Sequence, residues 1–323
     1  MSHLWSATAP LENLRKRAQI FAQIREFFAA RDVLEVETPL MTSAAVSDPY
    51  IDTIECRYHP LPGQQEQARY LQSSPEYAMK RLLASGSGAI YQICKAFRNG
   101  ECGRRHNPEF TMLEWYRPGF DHLQLMDEVE ALVGPVIGMK GFQRISYSEL
   151  FRQYLHVELQ TVTLQELAAI TRQHIDIQME DDNRDNWLNL LMSHVIEPQL
   201  TDKGAVFVYD YPASQAALSR VAEDPDGQPV ACRFELFIAG VELANGYYEL
   251  TDAAEQAKRF AKDIAQRQSE GLPVRPTDSL LVDALENGMP ECAGVAMGLD
   301  RLVMLALGTE QISDVIALPF DRA

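Results

Sequence analysis

The second half of the chain is organised around a hairpin. Residues 232–238 (CRFELFI) and 241–244 (VELA) are strand-like runs separated only by Ala239-Gly240. A two-residue link containing glycine between two such runs joins antiparallel neighbours. A third strand-like run, AVFVY at 205–209, comes just before them. Hairpins rather than strand–helix alternation set the pattern here, so the central sheet is expected to be mostly antiparallel. The expected fold class is α+β: a mostly antiparallel sheet flanked by helices.

The remaining chain supplies the flanking elements. Leu14, Ala18, Phe21, Ile24 and Phe28 recur at spacings of three and four, which predicts an amphipathic helix over 11–30. Val33, Leu34 and Val36 read as a strand stopped by Thr38-Pro39. Residues 43–70 are mixed and rich in turn formers. Ser74-Pro75-Glu76 opens a helix running to Leu83, with proline at its first position. Ala89–Cys94 and Phe110–Tyr116 read as strands. Residues 138–200 change character and read as a helical insertion. Within it, Thr163-Leu-Gln-Glu166 fits a capping box, Trp187–Ile196 fits a helix closed by Pro198, and Glu180-Asp181-Asp182 is a solvated turn. Asp252-Ala-Ala-Glu255 starts another helix, ended by Gly271. The last element, GVAMGLDRLVMLALG, is a glycine-containing strand that runs into a helix.

Composition narrows the functional classes. The five cysteines are odd in number and form no Cys-x-x-Cys pair, which argues against a disulfide framework and a structural zinc site. No apolar run reaches the length of a membrane span, and no signal peptide is evident at the start. A cytoplasmic enzyme without a membrane partner is expected. The net charge of −17 disfavours general nucleic-acid binding, which relies on neutralising phosphates. Positive charge is nevertheless concentrated locally, in Lys80, Arg81, Lys95, Arg98, Arg104 and Arg105.

These residues suit the activation of a carboxylate by ATP. Both reactants are anionic, so fixed cations must bring them together and offset the charge gathered in the transition state. Arg98 and Arg105 could hold phosphates, and Phe110 offers adenine an aromatic face. Glu235 and Glu242 lie on the two arms of the hairpin and make a candidate Mg²⁺ pair. Arg301 begins the final helix, and Gly298 before it admits a ligand closely. Glu76, Glu114 and Glu249 could receive the ammonium groups of a cationic substrate. Taken singly, each is as readily an ion pair, a core aromatic or a surface carboxylate.

Longer runs give the pattern a family. RDVLEVETPLM (31–41), FRN (97–99) with RRHNPEFTMLEWY (104–116), and GVAMGLDRLVM (294–304) resemble motifs 1, 2 and 3 of class II aminoacyl-tRNA synthetases in their lysyl form. LQSSPEYAMKRLL (71–83) and VELANGYYELTDAAEQ (241–256) resemble that family's substrate-binding segments. Motif 1 begins after about 30 residues, so no anticodon-reading domain is expected. The expected organisation is one catalytic domain over 1–323 with the 138–200 insertion. This pattern, with the EWYRP and ELANG wording, is similar to the catalytic-core branch that ligates (R)-β-lysine to elongation factor P.

The resemblance implies ATP and Mg²⁺ as co-reactants, lysine or (R)-β-lysine as substrate, and elongation factor P rather than tRNA as acceptor. It also implies a homodimer built on motif 1 around Pro39. Residue by residue, it assigns substrate contacts to Ser74, Pro75, Glu76, Tyr116 and Glu249, with Glu114, Asn245 and Ala296 in the same pocket. ATP contacts fall on Arg98, Asn99, Gly100, Glu101, Asn107, Glu242, Leu243 and Gly298, and the general phosphate and adenine positions on Arg105, Phe110 and Arg301. Arg98 and Arg301 are the catalytic pair. His106 packs or orients its loop.

Two departures stand out. The family's Arg-Asn-Glu is here Arg98-Asn99-Gly100-Glu101, so the glutamate has moved one place. The loop SAAVSDPY (43–50) lacks the paired glycines that synthetases carry near the substrate amine. Ala296 is not a departure: the resemblance gives this branch alanine where lysyl synthetases have glycine, which implies a reshaped pocket floor. The rival readings are a free-standing enzyme that charges tRNA and an inactive regulatory paralogue.

Overall fold

The computed structural model describes residues 5–323. Its backbone packs as two compact units. Unit 1 takes the residues up to Phe120, Val136–Gly138 and Leu250–Ala323; unit 2 takes Asp121–Pro135 and Met139–Glu249.

Unit 1 opens with helix α1 (Leu11–Ala29), whose three-and-four spacing buries Ile20, Ile24 and Phe28. Phe28 stacks on Tyr91 at 4.3 Å between ring centroids and meets Trp115 edge-on at 5.4 Å. Short strands β1 (Leu34–Glu35), β2 (Met41–Thr42), β3 (Glu55–Tyr58) and β4 (Gln67–Leu71) follow, and β2, β4 and β3 form a small antiparallel sheet. Next come α2 (Glu76–Ala84), β5 (Ile90–Phe97) and β6 (Glu109–Pro118). Strand β1 runs parallel to β5, and β5 antiparallel to β6. Residues 111–116 of β6 are all buried, so both faces of this strand are covered.

Unit 2 opens with α3 (His122–Ile137), whose last two residues are counted with unit 1, and continues through β7 (Gln143–Ser146), α4 (Tyr147–Leu155), α5 (Leu164–His174) and α6 (Arg184–Leu191). Strands β8 (Ala205–Pro212), β9 (Val221–Glu223), β10 (Pro229–Ile238) and β11 (Val241–Tyr248) follow. Their order is β11-β10-β8-β7, with β9 on β10. Only β7 and β8 are parallel. Tyr147, Phe151, Trp187, Leu191, Val206, Val208 and Phe237 share one core. The link between β10 and β11 is the two-residue turn read from the sequence. Ala239 and Gly240 both take positive φ, 49° and 70°, as a turn matched to strand twist requires.

The chain then returns to unit 1 through α7 (Ala253–Ser269), α8 (Ser279–Glu286), β12 (Cys292–Gly298) and α9 (Leu299–Leu307). Strand β12 lies antiparallel to β6. The sheet content of both units is thus mainly antiparallel, and the α+β class holds.

Local expectations hold where capping chemistry is strong. Thr163 and Glu166 form the reciprocal capping box of α5, and the Asp252 side chain caps α7. Three local expectations change. Pro75 sits at the cap position of α2, one residue before the helix proper. Residues 143–146 of the helical insertion are a strand, because β8 offers them a parallel partner. The expected helix at 187–196 is shorter. It starts at Arg184, ends as α-helix at Leu191, widens into a π turn over Met192–Ile196, and tightens into a 3₁₀ helix over Glu197–Lys203. Pro198 lies inside that last turn. It lacks the amide hydrogen an α ladder needs, so the ladder changes type where the sequence reading expected a stop.

Candidate active site

Strand β6 is the axis of the unit 1 site. Its side chains alternate, so Phe110, Met112, Glu114 and Tyr116 share one face. At ~3.3 Å per residue, Phe110 and Glu114 stand roughly 13 Å apart along it. The neighbouring strands extend the row. Gln92 of β5 and Ala296 of β12 both lie in register with Glu114. Ala296 is therefore the cross-strand neighbour of the buried Glu114.

The amino-acid end is a closed hydrogen-bond set. Ser74 Oγ donates to Glu114 Oε1 at 2.6 Å, and Tyr116 Oη donates to Glu114 Oε2 at 3.2 Å. Glu76 N donates to Ser74 Oγ at 3.0 Å. Pro75 caps α2 and so aims Ser74 and Glu76 into the same corner. Burial, with Glu76 nearby, pushes the Glu114 carboxyl up to about 8, although the Ser74 and Tyr116 bonds work the other way. Lys80, 1% exposed, donates to Glu76 Oε1 at 2.5 Å. Sequence reasoning counted Lys80 only among the local basic charges. Its signal was the i, i+4 spacing from Glu76 on α2. Cys94 is pushed up to about 12, chiefly by burial and then by Glu114, so its thiol is no nucleophile.

The nucleotide end is cationic. Arg98 lies over Phe110, 5.3 Å from guanidinium carbon to ring centroid, and pairs with Glu101 at 3.7 Å. Its Nε is buried and has no hydrogen-bond partner among the described residues. Gly100, at φ 76°, turns the chain so that the displaced Glu101 reaches back to Arg98. Arg301 Nη2 donates to His106 Nε2 at 2.7 Å, so this nitrogen of His106 carries no proton. His106 thus orients the arginine as well as its own loop. Arg105 is half-buried, while Arg104 is taken up by Glu310 at 2.6 Å. Asn107 spends both ends of its amide on the backbone: Nδ2 donates to Glu109 O at 2.5 Å, and Oδ1 accepts from Phe320 N at 2.9 Å. A Cβ on Gly298 would meet only the Arg301 side chain, at 3.7–3.9 Å. The chain itself therefore does not require a glycine there. Asp300, unforeseen in the sequence, is buried, pairs with Arg17 at 2.5 Å and accepts from Thr111 N at 2.6 Å. It locks α1, β6 and the start of α9 together next to Arg301.

Unit 2 carries the acidic residues. Glu235 of β10 pairs in register with Asn245 of β11, whereas Glu242 faces Phe237 beyond a bulge at Leu236/Phe237. Glu235 Oε2 accepts from Tyr211 Oη at 2.7 Å, and Oε1 accepts from Arg233 and, at 3.5 Å, from Asn245. Burial raises the Glu235 pKa; Glu242 adds to this, and Arg233 and Tyr211 oppose it. Glu197, unforeseen in the sequence, is pushed up to about 7 by burial and then by Glu235 and Glu242. Three mutually repelling carboxylates are the donor chemistry of a hard divalent cation. No cluster of three or more potential ligands in metal-binding arrangement occurs among the described residues, so a cation here would need further oxygens from a ligand. Leu243 is buried in β11. Glu249 is buried just past β11, and its carbonyl accepts from Arg220 Nε at 3.2 Å.

Comparison with known proteins gives the chain its family. The family model described as tRNA synthetases class II (D, K and N) matches residues 3–322. The chain is 48% identical over 321 residues to an elongation factor P–(R)-beta-lysine ligase of Yersinia enterocolitica, covering 99% of this chain and 98% of the relative. It is 50% identical over 322 residues to the ligase of that name in Vibrio cholerae, and 46% over 321 residues to that of Salmonella paratyphi B, with the same coverage. With the family model matched over nearly the whole chain and relatives 46–50% identical over 99% of it, the chain belongs to the class II tRNA synthetase family.

Proposed function

We propose that this chain is an ATP-dependent ligase that activates (R)-β-lysine as its adenylate and transfers the β-lysyl group to a lysine side chain of elongation factor P. The observation that carries this reading is the row on β6. It sets an aromatic face under Arg98 at one end and a buried carboxyl held by Ser74 and Tyr116 at the other. An adenine and a substrate ammonium need those two surfaces, and the carboxylate–phosphate junction falls between them. The ligase names of relatives 46–50% identical over 99% of the chain support the choice of substrate and acceptor.

The chemistry follows from charge. The amino-acid carboxylate attacks the α-phosphorus of ATP, a P–O bond to pyrophosphate breaks, and the adenylate forms. Arg98 and Arg301 offset the charge gathered on phosphorus. In unit 1, Ser74, Glu76, Glu114 and Tyr116 receive and orient the diammonium substrate; Asn245 and Glu249 of unit 2 are acceptors that the family resemblance adds. In unit 1, Asn99, Gly100, Glu101, Arg105, Asn107, Phe110 and Gly298 shape the nucleotide site; Leu243 of unit 2 is a contact that the family resemblance adds. Glu235 and Glu242 would hold Mg²⁺, which supplies charge neutralisation on the phosphates when bound. In the second step the neutral ε-amine of the acceptor attacks the adenylate carbonyl, its N–C bond forms, the nitrogen loses a proton to solvent, and AMP leaves with the electrons of the C–O bond. No covalent enzyme intermediate is required. We further propose one catalytic domain, a homodimer and a cytoplasmic location.

Amino-acid-dependent ATP–pyrophosphate exchange tests the first step. The account expects exchange with (R)-β-lysine to exceed that with α-lysine. Exchange with neither isomer would remove the reading.

A further inference from the structure

The turn that follows Arg98 is tied to a distant part of unit 1 through one carboxylate. Asn99 N donates to the Asp52 carbonyl at 2.9 Å, and Asn99 Nδ2 donates to Asp52 Oδ2 at 2.5 Å. The other carboxylate oxygen, Oδ1, accepts from Arg275 Nη1 at 2.8 Å. Arg267, 4% exposed, stands behind at 3.9 Å from the same oxygen. It is fixed by donation to the carbonyls of Pro273 and Asp48, at 2.9 and 2.7 Å. The loop that bears Asp52 is itself stapled to this region. Ala45 N donates to Pro276 O at 2.9 Å, and Ser47 Oγ donates to Asp263 Oδ2 at 2.7 Å.

Three segments far apart in sequence therefore meet at Asp52: the loop 43–52, the turn 98–102 and the stretch 267–276. This junction matters because Arg98 is held loosely by its own contacts. It has a ring face at 5.3 Å and an ion pair at 3.7 Å, and its Nε lacks a partner among the described residues. Its backbone N donates to Pro108 O at 2.9 Å and closes the base of the loop. The next residue, Asn99, is gripped by Asp52. After that, Gly100 enters the left-handed region, where the chain has the most freedom. Asp52 is thus the side chain that anchors the turn just before its left-handed residue.

We propose that Asp52 is a positioning residue, which clamps Asn99 to Arg275 and so fixes where the Arg98 guanidinium points. The inference rests on the reading that Arg98 binds ATP. It extends that reading by making the nucleotide end of the site depend on the stretch 267–276, which contains none of the residues proposed to bind ligand. The Asp52 carboxyl is held below its ordinary value: partial burial works against this, and the bonds from Asn99 and Arg275 outweigh it. The clamp is therefore charged at neutral pH.

The experiment combines steady-state exchange kinetics with amide hydrogen exchange on the full chain carrying Asp52→Ala, Asp52→Asn or Arg275→Gln. Asp52→Ala is expected to raise the KM for ATP about tenfold, the scale of losing charge-assisted hydrogen bonds. The KM for the amino acid should stay within about twofold, since unit 1's acceptors for it lie elsewhere. Asp52→Asn keeps an acceptor for Asn99 and should fall between wild type and Asp52→Ala. The double variant Asp52→Ala/Arg275→Gln should be no worse than Asp52→Ala alone. Amides of 99–102 should exchange faster in Asp52→Ala, while those of 110–116 keep their wild-type rates. If Asp52 served only general stability, kcat would fall with the active fraction and both KM values would be unchanged; that result overturns the proposal. Unchanged exchange at 99–102 overturns it as well, and does so whether or not the wild type activates an amino acid. Wild-type failure to catalyse pyrophosphate exchange would instead count against the functional reading.

Discussion

Glu114 holds a proton that its proposed ligand must displace. Its carboxyl, 1% exposed, is pushed up to about 8, so at neutral pH it is mostly protonated in the free protein. A substrate ammonium favours the carboxylate, so binding below pH ~8 releases a proton. The sign follows: amino-acid affinity rises with pH up to about 8, then flattens. For stability the sign is reversed. A carboxyl with a raised folded pKa costs stability progressively as pH climbs from its ordinary 4.5 towards 8. Calorimetry of amino-acid binding at pH 7 in two buffers of different ionisation enthalpy should show fractional proton release, which Glu114→Gln abolishes. Release unchanged in that variant would contradict the assignment. The sequence named Glu114 as an acceptor from its residue type and motif. It could not show that Glu114 is protonated, because that depends on burial and on Glu76, both set by the fold.

At the scale of elements, the hairpin was the most legible feature and also shows where legibility stops. Ala239-Gly240 and the flanking apolar runs announce β10 and β11. The bulge at Leu236/Phe237, which sets Glu242 opposite Phe237, has no signature in the sequence. The same limit applies to β7, four residues that become a strand only because β8 pairs with them. Capped helices were legible because a Thr–Glu or Asp–Glu spacing acts locally. The junctions at Asp300 and Asp52 were not, since their partners lie far away in sequence. One glycine of the hairpin carries a further prediction. A Cβ at Gly246 would lie 2.4 Å from Phe234 Cζ, inside the ring that crosses the strand there. Gly246→Ala should destabilise unit 2 by roughly 1–3 kcal/mol through overpacking. Urea unfolding followed by Trp187 fluorescence checks this, and an unchanged midpoint would show that the ring moves aside freely.

For the whole molecule, charge and surface point to different partners. A net charge of −17 opposes a phosphate backbone as client. Leu34, Leu40 and Met41, in the segment around Pro39, are exposed, and the proposed homodimer would cover them. Pro39 stiffens that segment. Pro39→Gly should weaken self-association and exchange activity together, read by sedimentation velocity and kinetics on the same samples. An active wild-type monomer would contradict the dimer.

The central claim concerns the acceptor, and intact-mass spectrometry tests it directly. The pure chain, ATP, Mg²⁺ and (R)-β-lysine are incubated with elongation factor P and tRNA in one vessel. The account predicts that elongation factor P gains the mass of one β-lysyl group on a lysine side chain while tRNA stays uncharged. Aminoacylated tRNA beside unmodified elongation factor P would contradict it.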